Sequence, residues 1–243
     1  MRHPRAMLAA LAVTCLAFAP RPGEAQVLLG MLAGGALSSD QFNIGFDIGM
    51  NIGTLSGLGS ATRTTSPMFG LFGDWRFAEH LHLTVGLLPI SGHGARELAP
   101  QPIGDPALDS LVAGGTMTRT LHTVDIPIIL KYAPRRFTGP RIGIGPQVAF
   151  VTGATDRYTA QGTTGTPAVV ERDIGGGIAN MDAGVAFDVE WRWPLLAIGV
   201  RYYHGLTDLG LGTGGAASYS RVLAGSGRIA LGRRPSQNKP PEH

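Results

Sequence analysis

Twelve charged side chains of this 243-residue chain lie on the polar side of segments in which polar and apolar residues alternate. They are six acids and six bases: Asp47, Asp74, Asp125, Asp182, Asp188 and Glu190, and Arg76, Lys131, Arg141, Arg192, Arg201 and Arg228. Buried charges are stable when they are paired and hydrogen-bonded. Such a set can form a static, cross-linked plug, or a gate in which a Glu–Arg pair changes partners. The even balance of charge favours the plug.

Few residues are candidates for catalysis. A nucleophile must lie beside its general base, and the nearest match is Ser91 with His93, close to which His122 could lie across a hairpin. No G-x-S-x-G motif accompanies them, so a lipid- or peptide-modifying enzyme is the least favoured alternative. Two histidines without a carboxylate pattern are a weak metal signal. We therefore expect no catalytic activity, no cofactor and no metal site.

The N-terminal residues have the pattern of an export signal. Arg2 and Arg5 precede an apolar stretch at residues 6–19, and a small-x-small site ends at Ala25. This pattern predicts a signal peptide over residues 1–25, which contains Cys15, the only cysteine. Its removal lowers the net charge from +3 to +1, because three arginines leave with one glutamate. A nearly neutral chain without a basic patch gives no reason to expect nucleic-acid binding.

The charged residues require strands to position them, because a strand sends successive side chains to opposite faces. Eight segments have this period of two. They are residues 41–54, 66–77, 80–92, 117–132, 138–151, 181–193, 195–207 and 220–231. The links after the second, fourth and sixth segments are short, whereas the others are longer, and the longest is residues 154–178. Short turns at one end and long loops at the other are typical of outer-membrane barrels.

The alternation fits either a soluble sandwich or a membrane barrel, and two features favour the barrel. The apolar side carries large aromatic residues near strand ends: Trp75, Phe77, Tyr132, Trp191, Trp193 and Tyr202. Such residues form belts at membrane interfaces. The other side carries the charges, which fit a lumen that side chains fill. We predict an all-β fold, an eight-stranded antiparallel transmembrane up-and-down β-barrel over residues 41–232, after a short lead-in at 26–40 and before a polar tail at 233–243.

Several segments resemble PorT-like outer-membrane β-barrel proteins of the porin family. They are VDIPIILKYAP at 124–134 with GPRIGIGPQVAFVTG at 139–153, NMDAGVAFDVEWRW at 180–193 with LAIGVRYYHGLTDL at 196–209, and FDIGMNIGTLSG at 46–57. The resemblance covers nearly the whole mature chain and implies a small barrel in the bacterial outer membrane. One type of member is tied to protein secretion. The polar, proline-rich C-terminal tail departs from the aromatic ending of many such barrels.

Together these features predict a structural or interaction role in the cell envelope, with an association with secretion as its more specific form. A narrow solute or ion channel is the alternative. The expected partners are outer-membrane lipid and an envelope protein, without nucleic acid. The expected location is the bacterial outer membrane.

Overall fold

A computed structural model describes residues 41–58, 61–135, 138–161, 167–212 and 216–231. The signal peptide expected over residues 1–25, the lead-in at 26–40 and the tail at 233–243 lie outside the described residues.

Nine strands, one helix and one short 3-10 turn make up the described chain. The strands are β1 (Phe42–Leu55), β2 (Thr62–Arg76), β3 (Leu81–Leu98), β4 (Thr116–Tyr132), β5 (Gly139–Gln161), β6 (Pro167–Asp173), β7 (Met181–Arg192), β8 (Leu196–Gly205) and β9 (Ser220–Leu231). Helix α1 (Pro106–Val112) lies in the β3–β4 connection, where Asp105 caps its N-terminus. The 3-10 turn is Gly175–Gly177.

Eight of these strands close into a ring. Each pairs antiparallel with its neighbours in the order β1–β2–β3–β4–β5–β7–β8–β9, and β9 returns to β1 with Asp47 opposite Arg228. Closure pairs the strand edges that an open sheet would expose. The predicted eight-stranded antiparallel barrel is confirmed.

The ninth strand corrects one expectation. Residues 154–178 were expected to form a loop, but β5 continues to Gln161 and β6 pairs back along it, with Tyr158 opposite Val170. Threonine, valine and tyrosine favour strands, so this hairpin is stable as a sheet even though its outward residues are no longer uniformly apolar. Strands β3 to β6 therefore extend as a sheet beyond the apolar part of the barrel.

The outer surface of the ring is apolar. Ile142, Val189 and Ile198 are 58%, 57% and 63% exposed although each lies in a strand that is paired on both sides. The large aromatics Trp75 and Trp191 are also exposed, close to the end of the barrel where the turns are short. We call this the short-turn end and the opposite one the long-loop end. In the described part of the chain, no helix is long and apolar enough to cross a membrane.

Three bulges reset which residues face inward, two in β3 and one in β5. The one nearest the long-loop end lies at Arg96 and Glu97, where Ala95 is opposite Arg119 but Leu98 is opposite Met117. In β3, Leu88 lies opposite Asp125 but Ser91 lies opposite Thr123, so one extra residue is accommodated at Pro89 and Ile90. Proline lacks the N–H that a ladder needs and is found at such irregularities. The extra residue turns Ser91 into the lumen. The bulge in β5 lies between Val151, which is opposite Thr123, and Gly153, which is opposite His122. It turns Ala154, Asp156 and Tyr158 into the interior.

Candidate functional site: a layered lumen

Three layers of side chains fill the interior from the short-turn end to the long-loop end. The ion network comprises Asp47, Asp74, His82, Thr84, Lys131, Arg141, Asp188, Glu190, Arg192, Arg201 and Arg228. The middle polar layer comprises Asn51, Ser91, His93, Thr123, Asp125, Gln147, Asp182, Tyr203 and Ser220. The apolar cap comprises Leu55, Leu58, Ala95, Leu98, Val112, Met117, Leu121, Ala154, Tyr158, Leu209 and Leu211.

Asp74 on β2 forms one end of the ion network. Its Oδ2 accepts hydrogen bonds from Arg141 and Arg192, each at 3.0 Å. Its Oδ1 accepts one at 2.9 Å from the Thr84 hydroxyl, and His82 Nδ1 lies 3.3 Å from Oδ2. These contacts tie β2 to β3, β5 and β7 across the lumen.

Asp188 and Glu190, two residues apart on β7, form the centre of the ion network. Lys131 Nζ on β4 lies 2.6 Å from Glu190 Oε2 and 2.9 Å from Asp188 Oδ1. Arg141 Nη1 lies 3.6 Å from Glu190 Oε1, which connects this centre to the Asp74 end. Each carboxylate therefore has more than one cationic partner.

Arg228 on β9 is the most connected cation. It donates to Glu190, to Asp188 Oδ2 at 2.9 Å and to Asp47 Oδ2 at 3.0 Å. Arg201 on β8 lies 3.3 Å from Asp188 and 3.4 Å from Asp47. With these two residues every strand of the ring contributes a buried side chain to one continuous network, which contains four acids and five strong bases.

The middle polar layer is bonded differently. Asp125 Oδ2 accepts the Ser91 hydroxyl at 2.7 Å and lies 3.1 Å from His93 Nε2. Asn51 donates to Ser91 at 2.8 Å. The His93 ring also packs against Tyr203, with ring centroids 5.6 Å apart. Asp125 and Asp182 lie in one cross-strand row, on either side of Ala149.

Buried polar atoms that no described protein group hydrogen-bonds are concentrated in the middle polar layer. Of eleven such side-chain atoms among the described residues, eight belong to it. They are His93 Nδ1, Thr123 Oγ1, Asp125 Oδ1, Gln147 Oε1, both carboxylate oxygens of Asp182, Tyr203 Oη and Ser220 Oγ. An unpartnered buried polar group is costly, so this layer is less tightly cross-linked than the ion network beneath it.

The apolar cap closes the long-loop end. Its leucines come both from strands, such as Leu121, and from the β8–β9 connection, such as Leu209. Beside it, Arg119 donates to both carboxylate oxygens of Asp156, at 2.6 and 2.5 Å. Arg119 also donates to Gln101 at 3.1 Å and to the Leu211 carbonyl at 3.4 Å. These contacts hold the β3–β4 and β8–β9 connections against the long-loop end of the barrel.

The structure places eleven of the twelve charged residues singled out by the sequence in the buried interior. Arg76 is the exception: it is half-buried at the short-turn end, opposite His82. Asp125 and Asp182 belong to the middle polar layer and not to the ion network. The sequence did not identify Arg119, Asp156 or His82. Pro89 within a strand pattern could have revealed the bulge that turns Ser91 and His93 inward.

The expected proximity of His93 and His122 is wrong. His122 lies opposite Gly92 and is exposed on the outer surface, whereas His93 points into the lumen and is 1% exposed. Ser91 and His93 both bind the same oxygen of Asp125, so the imidazole does not accept the serine proton as a catalytic base must. Among the described residues, no group of three or more His, Cys, Asp or Glu side chains could hold a metal ion.

A closed ring with an apolar outside and a charged inside defines a transmembrane β-barrel. The family model for the outer membrane protein beta-barrel domain matches residues 34–210, and the chain belongs to this family. The protein is therefore a bacterial outer-membrane β-barrel protein. No curated protein matches the chain.

Solved structures similar to this chain are outer-membrane proteins at low identity. Ail of Yersinia pestis is 9% identical, with a TM-score of 0.38, covering 78% of this chain and 99% of its own. Neisserial surface protein A is 12% identical, with a TM-score of 0.37 and coverages of 79% and 97%. OprG of Pseudomonas aeruginosa is 10% identical, with a TM-score of 0.35 and coverages of 79% and 95%.

Proposed function

We propose that this protein is a sealed outer-membrane barrel with a structural or interaction role in the cell envelope. The observation that carries the proposal is the ion network, to which every strand of the ring contributes a buried side chain. Opening a path through it requires several pairs to separate together. Removing one partner of a buried pair costs about 3–5 kcal/mol because the other charge is left unpaired, so a state in which several pairs are separated is strongly unfavourable.

The apolar cap adds a second barrier in series. Leu121, Met117 and Tyr158 are each about 1% exposed and lie between the middle polar layer and the long-loop end. An ion passing this region would lose its hydration without gaining partners, which is strongly unfavourable. The cap and the ion network together support a lumen that does not conduct.

The interaction part of the role falls on the sheet that extends beyond the apolar surface. It consists of the parts of β3, β4 and β5 nearest the long-loop end together with β6, which among the described strands pairs with β5 only. In barrels of this type the long-loop end faces outward and the short turns face the periplasm. The PorT-like motifs support an association with protein secretion, through a partner in the envelope.

A narrow channel is the second candidate, and the middle polar layer favours it. Its eight unpartnered polar atoms could solvate water or an ion between the two barriers. Conduction would still require the apolar cap to lift and the ion network to re-pair.

Planar-bilayer recording of the purified barrel separates the two candidates. The sealed barrel predicts a baseline current over the full voltage range. Because the two barriers lie in series, Arg119→Met, which loosens contacts only at the long-loop end, should leave the current at baseline. Reproducible unitary conductance of the wild-type protein would overturn the sealed-barrel proposal in favour of the channel.

A further inference from the structure

The apolar outer surface ends at a common level on several strands near the long-loop end. The last apolar outward residues include Ile52, Tyr202 and Leu223 on β1, β8 and β9. The next outward positions on those strands are Thr54, His204 and Arg221. Within β1, β8 and β9 polar and cationic side chains thus replace apolar ones within one outward step, and exposed Leu206 follows directly after β8.

Four cationic or titratable side chains lie at this level on β8, β9, β2 and β3, the strands on either side of β1. We call them the cation rim: Arg63, Arg96, His204 and Arg221. His204 on β8 lies directly opposite Arg221 on β9, and Arg221 lies opposite Thr54 on β1. Arg96 on β3 lies opposite Thr62, the neighbour of Arg63 on β2. Neighbouring strands are about 4.8 Å apart, so the rim spans β8, β9, β1, β2 and β3.

Two members of the cation rim are already held in place. Arg221 Nη1 donates to the carbonyls of Gly205 and Ser220, each at 2.8 Å, and its guanidinium lies 5.7 Å from the Tyr219 ring. His204 Nδ1 lies 3.3 Å from the Tyr202 hydroxyl. Groups that are fixed before binding lose less entropy when they bind.

The rim has little acidic charge to neutralise it. In β1, β2, β8 and β9 as described, the acids are Asp47 and Asp74, and both are buried in the lumen. Glu97 is exposed beside Arg96 at a residue with φ of 59°. Among the described residues, no carboxylate lies within salt-bridge distance of the rim arginines. Arg157 on β5 differs, because it lies 3.7 Å from Glu171.

We propose that the cation rim binds the phosphate groups of a lipid in the outer leaflet. Guanidinium groups match phosphate oxygens in both charge and geometry. The rim lies directly above exposed Leu223, Tyr202 and Ile52, which lipid acyl chains can cover. A ligand that satisfies both surfaces carries phosphate and hydrocarbon in one molecule, so a membrane lipid fits better than free phosphate.

The test measures lipid retention by native mass spectrometry. The purified barrel is titrated with diphosphorylated lipid A and, separately, with the same lipid after removal of its phosphates. The Arg63→Gln/Arg96→Gln double variant should bind the phosphorylated lipid about tenfold more weakly than the wild type. Arg157→Gln removes the same charge from a paired arginine and should bind like the wild type. Raising the salt concentration should weaken binding, because exposed charges are screened.

Three results would overturn the proposal: equal binding by the double variant and the wild type, equal binding of the dephosphorylated lipid, or displacement of the lipid by millimolar inorganic phosphate. Should the double variant not fold, Arg96→Gln alone gives the same comparison with an expected loss of about threefold. These outcomes are independent of the sealed lumen, since the rim lies on the outside of the barrel.

Discussion

The ion network and the middle polar layer lie in the same lumen, yet they satisfy their charges in opposite ways. Asp188 and Glu190 each have several cations within hydrogen-bond distance. Asp182, at a similar burial, has no cation within salt-bridge distance among the described residues. A buried charged side chain therefore does not necessarily form an ion pair that connects two strands. We expect substitutions in the ion network to lower the stability of the barrel strongly. Substitutions in the middle polar layer should change it less.

The largest expected effect is the loss of the most connected cation. Arg228→Met leaves Asp47, Asp188 and Glu190 each without one partner, and we expect a loss of about 3–5 kcal/mol in the free energy of unfolding. Urea unfolding of the barrel in lipid vesicles measures it. The control is Glu171→Gln at the exposed pair with Arg157, where about 1 kcal/mol or less is at stake. A wild-type midpoint for Arg228→Met would refute the cross-linking role of the network.

The next effect compares two depths on the apolar outer surface. Val189 is 57% exposed on the apolar outside, and Val189→Arg should cost about 2–4 kcal/mol because it places a charge in hydrocarbon. Trp193→Arg, near the short-turn end, should cost less, since the penalty declines toward the interface. The same unfolding assay compares them, with Val189→Leu as the control for size. Equal losses at both depths would contradict the membrane position assigned to these strands.

A smaller effect is expected in the middle polar layer. Asp182→Asn removes a buried charge that has no ionic partner, so stability should change by less than about 1 kcal/mol or increase. Its matched comparison is Asp188→Asn, which breaks three close pairs. If Asp182→Asn destabilises the barrel as much as Asp188→Asn, the two regions do not differ as described.

The smallest effect lies outside the lumen, in the β8–β9 loop. The pKa of the Asp208 carboxyl lies below its ordinary value because its Oδ1 accepts hydrogen bonds from the backbone N–H groups of Ser218 and Gly210. This contribution to loop order is present above the ordinary aspartate pKa and is lost as the pH falls through the lowered one. Carbon-detected NMR titration should show the depressed midpoint. An ordinary midpoint would show that these hydrogen bonds do not form.

Much of this architecture could be predicted from the sequence, because the alternation of polar and apolar residues is visible within each strand by itself. The run from Met181 to Arg192 shows which side chains face lipid and which face the lumen without reference to any other strand. Bulges and strand extensions are harder to predict from the sequence. The bulge at Pro89 and Ile90 and the extension of β5 to Gln161 depend on pairing with β4 and β6, and one additional residue reverses the direction of every side chain after it.

The partners within the lumen could not be read from the sequence either. Arg228 and Asp47 are 181 residues apart and meet because the ring closes between β9 and β1. The alternation predicted that both point inward but not that they bind each other. The exposure of His122 and the burial of His93 depend in the same way on register.

The most direct test of the sealed lumen is Glu190→Gln, studied by unfolding and by conductance on the same preparation. Glu190 bonds Lys131 and Arg228 at the centre of the ion network. A static plug predicts a loss of about 3–5 kcal/mol in stability with the current at baseline. A gate predicts little loss of stability and a clear increase in open probability. That result would contradict the sealed lumen.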